Sequence, residues 1–426
     1  MESRPRPIDK RSALNDAPPG SSLRKHQDEA GYRSPMRALI RASVFLVGSL
    51  AALLPFASAQ AAPAWTVVQA ERPLAALPAV RETSWRTTRA PGGPYDQIEL
   101  HRYRGQGPSR AVLLYLPGTN MNGEVAVTDE DHNLWLFLAA RGVDVFALDY
   151  RTRFVPAAGV TDLGFMKGWN LQTFVDDGRA AAEKARAESG TRRLFVAGFS
   201  RGVSLAYALA LAEPRDAVAG IIALDGSFKG HAPTAKFDRE AGLKKLETSG
   251  TYASDVSGGR WEWRQRLMEG ASEKPKGPAL DPKYASAGDE LAEVLYSAWR
   301  PGGLANAKEG KSSPAVLGRL LAGYDRYYPA VQDVDGRAIA DFADDPATTV
   351  DDGWGSLKAP VLYFGATGMG VDWLLSGISS AGGAGSPDVT INVLEGYGHL
   401  DVVVGDQARR DVYEPLLAWM SKRANP

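Results

Sequence analysis

The sequence predicts an α/β fold with a mostly parallel central sheet, helices on both faces and a helical cap insertion. Three observations carry this. Short, continuously apolar runs alternate with helical segments, as strands buried on both faces require. Between Asp225 and Leu357 that alternation stops, and helical segments separated by gaps filled with Gly, Pro and Lys take its place. A serine stands between two glycines, in "GFSRG" (Gly198–Gly202), where a strand gives way to a helix.

In chain order, Ile98–Tyr103 reads as a strand. Ala111–Gly118 ("AVLLYLPG") is a buried strand running into a loop, and Asn133–Gly142 is a helix with a glycine stop. Val143–Tyr150 is the next strand. A helix follows over Gln172–Glu188, then strands at Arg193–Phe199 and Val218–Asp225. Within the interruption, "RWEWRQRLMEG", "DELAEVLYSAWR" and "SPAVLGRLLAGYD" read as helices, with no convincing buried strand among them. Strands return at Val361–Ala366 and Val389–Gly396, and Ala408–Lys422 is the last helix. The core thus comprises residues 62–225 and 356–426, with a cap over 226–355 that lies across the sheet's C-terminal edge, where open parallel sheets bind ligands.

Bulk composition narrows the function. Hydrophobic residues at 44% and charged residues at 23% mark a globular chain. The 49 basic and 50 acidic side chains nearly cancel, which argues against general nucleic-acid binding. With no cysteine, disulfides, thiolate metal sites and cysteine nucleophiles are excluded. Residues 1–35 are polar and aperiodic and read as a disordered extension. Residues 36–61 have the layout of a secretory signal peptide: Arg37 and Arg41, an apolar stretch from Ala42 to Phe56, then Ala57-Ser58-Ala59 and Ala59-Gln60-Ala61 as candidate cleavage sites. The apolar stretch is short for a membrane span and lacks a basic flank after it. An uncleaved signal anchor is the competing reading, and Met36 is a candidate alternative start. The expected location is secreted or periplasmic, with no membrane span in the mature chain.

The chemistry centres on Ser200. A sharp strand-to-helix turn leaves no room for side chains two positions to either side, hence Gly198 and Gly202. The turn holds Oγ at a helix N-terminus, where the Arg201 N–H can face a developing oxyanion. The competing reading is a serine that merely caps the helix. A nucleophilic serine needs a base, and the chain has five histidines. His26 precedes the signal segment, His101 lies in an early strand, His132 before an early helix and His231 at the start of the cap. Only His399, in "LEGYGHLDVVVG", sits in a late loop at the catalytic edge, in the chain order serine, acid, histidine. For the acid, Asp372 in "GATGMGVDWLL" is preferred and Asp225 in "IIALDGSF" is the alternative; Asp401 reads as a loop or helix anchor. The acid's task is to hold the imidazole tautomer. A second oxyanion donor is expected from the Thr119 or Asn120 N–H in "YLPGTNMNG", against the plain reading of a Pro-Gly turn.

Through "GFSRG", "LPGTN", "VDW" and "GYGHLD", over residues 95–225 and 356–426, the chain resembles the α/β-hydrolase superfamily. "VDWLL" and "YGHLDVVVG" are similar to its acid-lipase branch, in which an Asp-Trp-Leu supplies the acid and a His-Leu-Asp the base. The resemblance implies a triad of Ser200, Asp372 and His399. Arg201 and Pro117-Gly118 depart from that branch, which commonly carries histidine next to the nucleophile and near the oxyanion strand. The cap matches nothing in the branch, so the triad carries over and a lipid substrate does not.

Other signals are weaker. "GATGMG" (Gly365–Gly370) lacks dinucleotide-site spacing, and no His, Asp or Glu group has metal-ligand spacing. No cofactor is expected. Trp261, Trp263, Trp299, Tyr296, Tyr324, Tyr327 and Tyr328 make the cap aromatic; this reads as cap core ahead of a wall for an apolar acyl or aryl group. Arg201 reads as a salt-bridge partner ahead of a ligand for a substrate carboxylate. The expectation is a serine hydrolase cleaving carboxylic esters through an acyl-enzyme, with a small-molecule or polymeric ester as substrate. The alternatives are an amide, peptide or carbon–carbon bond hydrolase with the same triad, or a non-catalytic binding protein on a hydrolase scaffold.

Overall fold

The computed structural model describes residues 64–124, 127, 129–232, 237–298, 311–340 and 348–424. The N-terminal extension, the signal segment and Trp299 lie outside these, as does the Tyr296 side chain.

The chain enters through three antiparallel strands, β1 (Thr66–Pro73), β2 (Arg81–Thr88) and β3 (Gln97–Arg104). β4 (Ala111–Leu116) leads to α1 (Leu134–Ala140), whose first turn is capped by the Asn133 side chain accepting from the Trp135 and Leu136 N–H groups. Then come β5 (Val143–Asp149), α2 (Leu171–Ser189), β6 (Leu194–Phe199), α3 (Arg201–Ala212) and β7 (Val218–Leu224). Every residue of β5, β6 and β7 is buried, as the unbroken apolar runs required.

Between β7 and the next sheet strand the chain forms α4 (Arg239–Ser249), β8 (Ala253–Asp255), α5 (Trp261–Glu273), α6 (Ala287–Ala298), α7 (Pro314–Ala322), β9 (Tyr327–Pro329) and α8 (Val331–Ile339). The three helices expected here are α5, α6 and α7. The expectation of no buried strand in this interval fails at one point: β9 is buried and pairs antiparallel with β8. Three-residue strands are too short for periodicity to register.

The chain closes with β10 (Val361–Ala366), α9 (Val371–Gly383), β11 (Val389–Leu394), α10 (Asp401–Val404) and α11 (Glu414–Ser421). A π-helical turn, Arg409–Tyr413, precedes α11, so the last expected helix is not continuous. Pro415 has no N–H to donate four residues back, and the wider turn absorbs the missing bond.

Nine of the eleven described strands form one sheet in the order β1-β2-β3-β5-β4-β6-β7-β10-β11, and β8 and β9 form a second. From β5 to β11 all pairs are parallel, so these strands share one C-terminal edge. β6 and β10 flank β7. The turns after all three therefore meet at that edge.

Candidate active site

Ser200 holds φ 55° and ψ −122°, a backbone conformation that costs a non-glycine residue about 1–3 kcal/mol and persists only where its surroundings fix it. The surroundings are backbone. A Cβ on Gly198 would fall on the Gly202 carbonyl, and one on Gly202 would fall on the Leu116 carbonyl. The Ser200 N–H donates to Leu224 O (3.0 Å), tying the turn to the end of β7. Its side chain makes no capping bond to α3, which removes the plain N-cap reading.

His399 lies in the turn after β11 and is buried. Its Nδ1 is 2.6 Å from Asp225 Oδ2, so Nδ1 carries the proton and donates it to the carboxylate. The ring stacks on Phe199, the neighbour of Ser200, with centroids 4.6 Å apart, and meets Trp373 edge-on at 5.6 Å. Among the described residues neither His399 Nε2 nor Ser200 Oγ has a hydrogen-bond partner. Catalytic bonds of this kind are often long without substrate and tighten on binding.

Asp225 follows β7 at φ 44° with its side chain wholly buried. Its Oδ1 accepts the Ala366 N–H (2.9 Å), and its own N–H donates to Phe364 O (2.7 Å). Both carboxylate oxygens are thus committed, one to the β10 backbone and one to the imidazole. The preference for Asp372 is corrected here. A turn ending at Gly370 (φ 92°) starts α9 at Val371, which puts Asp372 in the helix's first turn with its side chain 87% exposed. It lies 3.5 Å from His231 and does not contact His399. The end of β7 lies between those of β6 and β10, so its aspartate is the one the histidine loop reaches. The acid position implied by the acid-lipase resemblance therefore does not hold, although Trp373 of the same "VDWLL" does touch the imidazole ring.

The two oxyanion candidates flank the serine. Arg201 is the first residue of α3, and first-turn N–H groups have no partner within their own helix. Its guanidinium turns away to Asp333 in α8 (2.8 Å), in keeping with the salt-bridge reading. Gly118 packs directly on Ser200: a Cβ there would meet Ser200 Cβ at 3.1 Å. Thr119 and Asn120 follow, with Asn120 held at φ 62°. Asp401 is buried and accepts the Gly398 N–H (2.7 Å), anchoring the histidine loop.

The other described histidines stand apart. His132 pairs with Asp129 (2.7 Å) and Asp406 (3.1 Å), and His231 with Ser376 (3.2 Å). His101 is buried between Glu82 (3.0 Å) and Asp149 (3.3 Å). Burial alone would lower its pKa, but Asp149 first, then Glu82 and Glu99, push it up to about 10. Among the described residues no group of three or more His, Asp or Glu could hold a metal ion, and no helix is long and apolar enough to cross a membrane.

Sequence reasoning missed the contacts of Phe199 and Trp373 with His399. Phe199 is the variable second position of the glycine-serine motif, which carries no signal of its own. Trp373 was visible only as the neighbour of an aspartate chosen for another reason.

No protein-family model matches the sequence, and no curated protein does. Among solved structures the chain is similar to a candidate lipase of Sulfolobus solfataricus, at 26% identity and TM-score 0.69, over 84% of this chain and 99% of that one. It also aligns with a thermophilic esterase of Thermogutta terrifontis (17% identity, TM-score 0.43, 79% of this chain and 97% of that one). A monoacylglycerol lipase of Paleococcus ferrophilus gives 14% identity and TM-score 0.45, over 76% and 99%. At those levels the last two do not bear on activity. The parallel sheet, the strained serine turn after β6 and the likeness to the Sulfolobus structure lead to one conclusion: the chain belongs to the α/β-hydrolase superfamily.

Proposed function

We propose that the chain is a serine hydrolase of carboxylic esters, with Ser200 as nucleophile, His399 as base and Asp225 as the orienting acid. The observation that carries this is the Asp225–His399 pair at 2.6 Å, its ring stacked on the residue next to a strained, uncapped serine. His399 Nε2 takes the Ser200 hydroxyl proton as Oγ attacks the ester carbonyl. The Arg201 N–H and those of the Thr119–Asn120 turn stabilise the oxyanion. As the tetrahedral intermediate collapses, the alkoxide leaves with the proton from His399. Water, deprotonated by His399, then attacks the acyl-enzyme, releasing the acid and restoring Ser200. Asp225 fixes the tautomer and stabilises the imidazolium.

An ester is preferred over an amide because the alkoxide is the easier leaving group for this machinery, and because the Sulfolobus structure to which the chain is similar is a candidate lipase. The reading includes export, on the strength of "MRALIRASVFLVGSLAALLPFASAQAAPAW". The test is hydrolysis of p-nitrophenyl esters of graded chain length by the parent and by Ser200→Ala. The expected result is turnover that falls by about 10⁴-fold or more in the variant. Equal rates in both proteins would overturn the reading.

A further inference from the structure

Residues 311–325, ahead of β9, touch the catalytic edge at both ends. At the first, the Lys311 N–H and the Ser312 hydroxyl donate to the Asp401 carboxylate (3.0 and 2.5 Å), and the Asp406 N–H donates to Lys311 O (2.5 Å). The same carboxylate holds the Gly398 N–H, one residue before His399. At the second, the Asp325 N–H donates to Asn120 O (2.7 Å), and Asn120 Nδ2 donates back to Asp325 O (2.9 Å). Asn122 Nδ2 donates to Gly323 O (3.0 Å) and to Asp325 Oδ1 (3.1 Å), while the Thr152 hydroxyl donates to Asp325 Oδ2 (3.0 Å). Between these ends runs α7, capped by Ser313 and buried along Val316, Leu317 and Leu321.

We propose that Lys311–Asp325 is a fixed strut that spans the histidine loop and the oxyanion loop, and that Asp325 is a positioning residue for the oxyanion donors. The inference rests on the serine-hydrolase reading. Its physical basis is what each end would lose on moving. Lifting the segment would take the Lys311 and Ser312 donors from the buried Asp401 carboxylate and part the Asp325 carboxylate from Asn122 and Thr152. Asn120 sits at positive φ in the loop the segment grips, and a shift there re-aims the N–H groups beside Ser200. Displacement of a catalytic donor by about 1 Å costs on the order of 100-fold in rate.

The experiment compares the parent, Asp325→Ala and Asp325→Asn on one p-nitrophenyl ester, with phosphonate labelling of Ser200 as an active-site count. Asparagine keeps an acceptor for Asn122 and a partner for Thr152. The strut predicts kcat down by about 10- to 100-fold in the alanine variant, KM within about twofold, and most of kcat restored by asparagine. A lower Tm in the alanine variant with kcat per labelled site unchanged would overturn it. Should that variant not fold, a second measurement decides. The chain has no cysteine, so spin labels at Arg319→Cys on α7 and Arg192→Cys on the core give one clean distance. The strut predicts a single narrow distribution, unchanged when Ser200 is phosphonylated. A shift larger than about one helical turn, or two populations, would overturn it. Absence of both ester turnover and labelling in the parent would instead sink the serine-hydrolase reading, while the distance measurement would still report on the strut.

Discussion

His101, on β3, and His399, in the turn after β11, are both buried imidazoles hydrogen-bonded to a carboxylate, and they differ in what meets the second nitrogen. At His101 both nitrogens are taken, by Glu82 and Asp149, with Glu99 nearby (3.8 Å). That ring is held as a cation and has no lone pair to offer. At His399 only Nδ1 is engaged among the described residues, and the ring lies against the Ser200 turn. A buried His–Asp pair is therefore no sign of a catalytic base by itself. The sign is one nitrogen committed, one open, and a reactive group beside the open one.

The largest expected effect separates the two candidate acids at the His399 pole. Asp225→Asn should lower kcat by about 10³–10⁴-fold, because the amide no longer fixes the tautomer. Asp372→Asn, altering an exposed side chain, should stay within about twofold in the same ester assay. Reversed effects would restore Asp372 and discard the geometry around Asp225. Next comes Gly202→Ala, whose Cβ would land on the Leu116 carbonyl. It should cost about 3 kcal/mol or more of stability and remove activity, as followed by urea unfolding beside the ester assay.

The His101 pole has its own test, in stability alone. Its folded pKa is about 10 against 6.5 in the unfolded chain, so its contribution is fully present below pH 6.5 and is lost as pH rises towards 10. His101→Gln should therefore lower Tm most near pH 6 and progressively less by pH 10, with kcat per labelled Ser200 little changed. A pH-independent Tm loss would show that the ring's charge is irrelevant. The smallest effect belongs to Asp325. Burial, with Asp149 adding to it against the opposing charge of Arg153, pushes its carboxyl up to about 7. The folded state thus favours the protonated acid, and stability falls as pH rises from about 4 to 7. Asp325→Asn removes that titration, so its Tm should exceed the parent's at pH 8 and approach it near pH 4. A constant offset across that range would place the carboxyl's titration elsewhere.

How much of this was legible in the sequence follows from what each feature depends on. The fully buried strands were readable to within a residue or two, because burial on both faces forces continuous apolar runs. β1 was not: it is an edge strand, exposed along nearly its whole length, and "TVVQAERP" carries no alternation. β2, "RETSWRTT", hid its burial behind the charges that pair with His101 and its neighbours. Ser200 and His399 could be singled out because glycine spacing and chain order are one-dimensional. The choice between Asp225 and Asp372 could not, because each follows an apolar strand and only the sheet order decides which one the histidine reaches. The start of α9 at Val371, just after Gly370, which turns Asp372 outward, is equally a matter of three-dimensional context. Asp325 gave no local signal, since its partners are more than 170 residues away.

The most direct test of the central claim, that His399 and Asp225 activate Ser200, is covalent labelling by a fluorophosphonate followed by peptide mass analysis. The account predicts one adduct per chain, on Ser200, formed rapidly by the parent and by His101→Gln and lost in His399→Ala. An adduct on another serine, or labelling of Ser200 at the parent rate without His399, would contradict it.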